Sequence, residues 1–295
     1  MSDFRKIDEV LKGPAPHWVG NGFRVKQFFP KDRGESIFER TSPFLLLDYN
    51  EPYYFQATPF ETGVGPHPHR GFETVTFSLA GKVEHGDNKG NTGVINPGDI
   101  QWMTAGSGIL HKEYHENEFV KKDRVFHVIQ LWVNLPAKDK MTEPNYQAIT
   151  KDQMGKYSIP EEGGEVIIYA GEAYGVKGPA KTFSPINIYK INLKKGTDFR
   201  IQEPEGFNTG FLVIGGEVEI NKEATVEFGN FVLFDREDKE IAIQSIEEES
   251  EIMVFSGEPL NEPVAAAGPF VMNTREELVE ASRDFREGVF GSPIF

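Results

Sequence analysis

GPHPHRGFETVTFSLAGKVEHGD, residues 65–87, decides how the rest of this chain is read. His67 and His69 stand one residue apart, stiffened by Pro66 and Pro68, and lead into the aromatic and β-branched run FETVTFSL (72–79). Such a run reads as a strand, and the glycine turn AGK reverses it into VEHGD. On an extended strand residues i and i+2 share a face, so the spacing predicts two imidazoles side by side.

Outward from this stretch the same pattern continues. The turn signals DNKGN and NPGD are followed by IQWM (100–103), the glycine-rich TAGSG and then ILHKEYH (109–115). FHVIQLWVNLP (126–136) is an apolar strand stopped by proline. Short strands at about ten-residue spacing predict an all-β sandwich or barrel. PAKDKMTEPN (136–145) is polar and unpatterned and reads as a linker. Beyond it, FLVIGGEVEINKEATVEFGNFVLF (211–234) parallels FSLAGKVEHGD…NTGVINPGDIQWM, Gly81 falling on Gly216 and Gly98 on Gly229. An ordered repeat of this length means two copies of one supersecondary unit. At the end, Thr274 and Glu277 form a capping box ahead of REELVEASRDFREG, one amphipathic helix presenting Leu278, Val279 and Phe285.

Composition narrows the chemistry. The 295 residues suffice for two domains, and 31 basic against 46 acidic side chains give −15, which argues against nucleic-acid binding. The absence of cysteine removes disulfides, thiolate metal sites and cysteine nucleophiles. No apolar run reaches the ~20 residues of a membrane helix, and the charged start MSDFRKIDEVLKG is no signal peptide, so a soluble cytoplasmic protein is expected.

What remains is nitrogen and oxygen. His111, Glu113 and His115 share a parity as His67 and His69 do, and two strands of matched parity would make a site open on one side. Imidazole with carboxylate suits iron, copper, nickel, manganese or zinc. Glu73 continues the parity of the first pair, as a ligand or as an acceptor for an imidazole N–H. His85, at a hairpin end, is expected at the surface, and His127, in phase with Ile129, Leu131 and Val133, in the core. His17 falls in a loop, and the GSG around Ser107 lacks the setting of a hydrolase nucleophile. The acidic IEEESE (246–251) reads as a solvated edge.

HPHRGFETV, NPGDIQWMTAGSGILHKE, QLWVNLP and GPFVMNTREEL resemble the pirin family, a branch of the cupin superfamily. The resemblance spans nearly the whole chain. It implies two jelly-roll barrels in tandem with a short C-terminal helix: a metal-binding barrel in residues 1–135, a linker in 136–145, a metal-free barrel in 146–272, and the helix and tail in 273–295. Residue by residue, its metal ligands fall on His67, His69, His111 and Glu113, with iron(II) the implied metal and Mn, Ni, Cu and Zn as alternatives. Many cupins instead take the carboxylate at the position of Glu73, and His115 is a rival fourth ligand.

The resemblance further implies quercetinase-type ring cleavage of a flavonol-like substrate with O2, Glu113 serving as general base. Its other implication is a metal- or redox-dependent regulator that binds a transcription factor or a metabolic enzyme without turnover. The repeat offsets carry His67 and His69 onto Gln202 and Pro204, and His111 and Glu113 onto Ala242 and Gln244. The second barrel is therefore expected to hold no transition metal, leaving at most a carboxylate site from Glu203, Glu205 or Glu217.

Overall fold

Two glycines at left-handed φ, Gly81 (100°) and Gly216 (68°), turn the two halves of the chain in the same way. Only glycine takes such angles without strain, and each carries the chain from a long strand of a seven-stranded sheet into a strand of a four-stranded one. The computed structural model describes residues 4–29, 36–237 and 239–292. Around each glycine the same ladder recurs. Gly98 N–H donates to Ser78 O at 2.7 Å, and Gly229 N–H to Val213 O at 2.8 Å. Ser78 N–H donates to Asp99 O, and Val213 N–H to Asn230 O. The repeat read from the sequence is thus a repeat of hydrogen bonds.

The chain forms two β units, and among the described residues every strand pair is antiparallel, with parallel contact only at the isolated bridges Arg70–Phe270 and Ala170–Ala180. One consists of Ala15–Phe38, Phe44–Asp152 and Asn261–Phe295. Its seven-stranded sheet runs Asn145–Ile149, Ile100–Thr104, Phe72–Ala80, Arg124–Asn134, Phe44–Phe55, Phe23–Phe29, His17–Val19. Its four-stranded sheet runs Gly63–His69, Ile109–His115, Val83–Asp87, Thr92–Ile95. The other unit, Met1–Pro14, Glu39–Pro43 and Gln153–Leu260, repeats the seven-plus-four plan. Both are cupin barrels, as expected. Among the described residues no helix is long and apolar enough to cross a membrane.

The unit boundaries differ from those expected, because edge strands join the sheet that completes their hydrogen bonds. Ile7–Leu11, near the N-terminus, pairs with Phe231–Phe234 of the second barrel. Asn145–Ile149 pairs with Ile100–Thr104 of the first. Residues 136–145 are also less free than a linker: Lys140 is buried, its Nζ donating to Asn134 Oδ1 (2.6 Å), Gly71 O (2.8 Å) and Val271 O (3.0 Å).

The helix Arg275–Arg286 carries the expected capping box, Thr274 Oγ1 accepting from Glu277 N–H and Glu277 Oε2 from Thr274 N–H. It buries Leu278 and Ala281, while Val279 is 66 % exposed. Phe285 is exposed as well, so of the three apolar positions expected on the inward stripe only Leu278 is buried.

Candidate metal centre

The strand Gly63–His69 lies antiparallel to Ile109–His115 with His67 directly opposite His111 and His69 opposite Ile109. Ring centroids are 4.2 Å apart for His67 and His111, 4.8 Å for His67 and His69, and 5.0 Å for His69 and His111. One nitrogen from each ring falls within 4.8 Å of the others, and among the described residues this is the one group with metal-ligand spacing. His111 is wholly buried, His69 nearly so and His67 half-buried. Burial holds all three below the usual imidazole range, and mutual repulsion pushes His69 and His111 further down. They are neutral bases at physiological pH, the form in which imidazole binds a metal.

The three fit a metal ion on their own geometry. His67 Nδ1 faces Gly65 O at 2.9 Å and His69 Nδ1 faces Pro269 O at 3.3 Å. A carbonyl only accepts, so each Nδ1 carries the proton and each Nε2 is left as the donor atom. Among the described residues neither nitrogen of His111 has a hydrogen-bond partner although the ring is buried, an arrangement that an ion bound to one of them relieves. Phe72 (5.1 Å) and Trp132 (5.2 Å) pack their rings around His69.

Glu113 lies two residues beyond His111, past an irregularity in the ladder, and outside the histidine group. Its Oε1 faces Thr76 Oγ1 at 3.2 Å, and the same hydroxyl donates to Gln130 Oε1 at 2.8 Å. One hydroxyl proton faces two acceptors. Burial pushes the Glu113 carboxyl up to about 7, so it can hold a proton of its own.

Of the rival ligands, Glu73 also lies outside the histidine group, and His115 is otherwise engaged. The chain passes through Gly71 (φ 87°) from the four-stranded sheet to the seven-stranded one, so the parity of His67 and His69 does not carry to Glu73. Glu73 accepts from Thr104 Oγ1 at 2.7 Å and is pushed up to about 7 by burial. His115 uses both nitrogens: Nε2–H donates to Gly22 O (2.9 Å), and Nδ1 accepts from Arg124 Nε (3.0 Å). Its ring stacks on Phe126 at 3.9 Å, making it a core histidine.

Of the other histidines, His127 is buried as expected, its Nε2 2.9 Å from the Tyr49 hydroxyl. His85 is not at the surface. It is buried and stacked on Tyr146 at 5.5 Å, because Thr92–Ile95 and Asn145–Ile149 cover that hairpin end. His17 belongs to an exposed edge strand rather than a loop. The fold places His85 and Tyr146 together, a pairing without a sequence signal because strand 145–149 falls in the stretch read as linker and its flank.

The second barrel shows what replaces the centre. His115 pairs with Val83 as Ser245 pairs with Val218, and His111 with His67 as Ile241 with Ile201. The equivalents of His67, His69, His111 and Glu113 are therefore Ile201, Glu203, Ile241 and Ile243, each a single residue from the positions expected. Ile201, Ile241 and Ile243 belong to one buried hydrophobic cluster. Glu203 is buried but engaged, accepting from the Tyr189 hydroxyl at 2.5 Å and Asn187 Nδ2 at 2.7 Å.

Comparison with known proteins identifies the family. The sequence matches the pirin family over residues 22–133 and the pirin C-terminal cupin domain over residues 188–291. A Pseudomonas aeruginosa protein provisionally named quercetin 2,3-dioxygenase is 42 % identical, over 97 % of this chain and 98 % of its own. Human pirin is 36 % identical, over 92 % of this chain and 89 % of its own. The crystal structure of a quercetin 2,3-dioxygenase from Acinetobacter baumannii superposes with a TM-score of 0.94 at 43 % identity, covering 99 % of this chain and 100 % of that one. The repeated barrels, the histidine triplet and these likenesses together place the chain in the pirin family.

Proposed function

We propose that this chain is an oxidoreductase of the quercetinase type, a cytoplasmic dioxygenase that opens the heterocycle of a flavonol-like substrate with O2. Its metal is held by His67, His69 and His111. The observation that carries the reading is the triplet itself: three neutral imidazoles with converging nitrogens, two of them fixed in one tautomer by backbone carbonyls. Iron(II) is the proposed ion, and the same donors accept manganese, nickel, copper or zinc. When bound, such an ion supplies Lewis acidity toward a substrate hydroxyl and a redox centre for O2.

The chain's own residues do the rest. Glu113 has Oε1 against Thr76, which leaves Oε2 for either role the family resemblance implies, fourth ligand or proton acceptor. A carboxyl held near 7 takes a proton from an acidified hydroxyl more readily than one at its usual value. Phe72 and Trp132 wall off His69 and exclude water from that side.

The test is metal analysis of the purified protein followed by oxygen uptake across a flavonol panel, for wild type and Glu113→Gln. The variant is expected to keep its metal on three imidazoles while its rate falls by roughly 10²–10⁴. Wild-type turnover by the variant would remove the proton-accepting role, and a metal-free wild type would remove the reading altogether.

A further inference from the structure

The residues that follow the second barrel, Pro269–Phe290, return to the metal barrel and grip the chain beside two of the three histidines. Pro269 O is the partner of His69 Nδ1. Next to it, Arg70 O accepts from Val271 N–H at 3.1 Å. A Cβ on Gly71 would lie 2.0 Å from Val271 O, so only glycine permits this approach. Lys140 Nζ bonds both Gly71 O and Val271 O. Arg70 itself is 3 % exposed: it donates to Asp284 Oδ2 (2.9 Å) and Ser107 O (2.7 Å) and lies over the Phe290 ring (4.6 Å).

His111 is braced from the same segment. Its neighbour Leu110 packs with Phe270, Met272, Leu278, Ala281 and Phe290. Leu110 N–H donates to Asn88 Oδ1, while Asn88 Nδ2 donates to Phe290 O at 2.6 Å.

We propose that Pro269–Phe290 is a positioning clasp for the metal centre: Pro269 O fixes the tautomer and tilt of His69, and the Arg70–Asp284 pair holds that carbonyl in place. The inference rests on the metal reading above. A carbonyl partner on Nδ1 orients the ring and raises the basicity of Nε2, and loss of such a partner typically costs 10–100-fold in metal affinity. Asp284 pairs with Arg70 rather than with any of the three histidines, so a simple role in helix packing would predict no effect at the metal.

The experiment measures Ni(II) affinity by chelator competition, and the visible spectrum of Co(II)-loaded protein, for wild type, Asp284→Asn, Asp284→Glu and Thr274→Ala. Thr274→Ala weakens the same helix through its cap while leaving Arg70 paired, and so calibrates general destabilisation. Asp284→Asn is expected to lose 10–100-fold in Ni(II) affinity and to shift the Co(II) bands, with Asp284→Glu restoring part of both. Unchanged affinity and spectrum in Asp284→Asn, or an equal loss in Thr274→Ala, would overturn the clasp. A wild type that takes up no Ni(II) would instead overturn the metal reading beneath it.

Discussion

Asp48, Gln130, Thr76 and Gln101 stand opposite one another on four adjacent strands of the first barrel. In the second barrel the same register holds Tyr189, Val254, Phe211 and Val232, all part of one hydrophobic cluster. The neighbouring sheet repeats the contrast, with His67, His111 and His85 on one side and Ile201, Ile241 and Ile220 on the other. Ladders and glycine turns are common to both units, so interior polarity does not set the fold. It sets what the fold can bind. An apolar interior is stabilised by burial at about 25 cal/mol per Å². A polar one forgoes that gain and keeps donor groups available, the usual trade of stability for function.

The largest effect should come from exchanging residues across this comparison. His111→Ile puts the second barrel's residue into the first. Metal content should fall to near zero and oxygen uptake with it, while the metal-free protein unfolds no more easily, since an unpartnered imidazole has been replaced by an apolar group. Ile241→His should gain no metal and cost about 2–3 kcal/mol in urea unfolding, the penalty of burying an unpaired polar group. A full equivalent of metal in His111→Ile, or new metal in Ile241→His, would break the comparison.

Next in size is a pH effect confined to the first barrel. Burial lowers His115 from 6.5 to about 4. Between those values the unfolded chain binds a proton that the folded one refuses, so stability is lost as pH falls from 6.5 to 4, by about 3 kcal/mol at most. Asp48 and Glu73, held high by burial, act in the opposite sense, so the informative quantity is wild type minus His115→Gln. That difference should shrink steadily between pH 7 and pH 4. The chain has no histidine after His127, so the second barrel has no counterpart. A difference constant with pH would mean that His115 takes up its proton in the folded state as readily as in the unfolded one.

Much of this was legible beforehand because it is local. The Gly81 and Gly216 turns, the histidine strand faces and the Thr274 capping box each depend on residues a few positions apart. The misreadings have a common cause. The sequence places His85 at the surface because the strand that covers it lies in distant sequence, and residues 136–145 read as linker because Lys140 finds its partners at Gly71 and Val271. The ligand equivalents in the second barrel were off by one because register is a property of pairing, and strand residues shifted by one face the opposite side. Val279 shows the same limit: its apolar side chain fits the helix stripe, yet it stays 66 % exposed.

The smallest predicted effect is also the one whose sign decides most. Gln101 is 2 % exposed, and among the described residues its amide nitrogen has no partner. A buried unpaired donor costs roughly 1–3 kcal/mol, whereas leucine at the same place would fill a similar volume without that penalty. Gln101→Leu should therefore be neutral or stabilising by about 1 kcal/mol, while Val232→Gln at the equivalent position destabilises by about 2–3 kcal/mol. If the polar row serves substrate, Gln101→Leu should also raise the KM for hydroxylated flavonols without changing metal content. Suppose instead that Gln101→Leu destabilised as strongly as Val232→Gln. The row would then be a structural network satisfied within the protein, and the two barrels would differ in composition without differing in purpose.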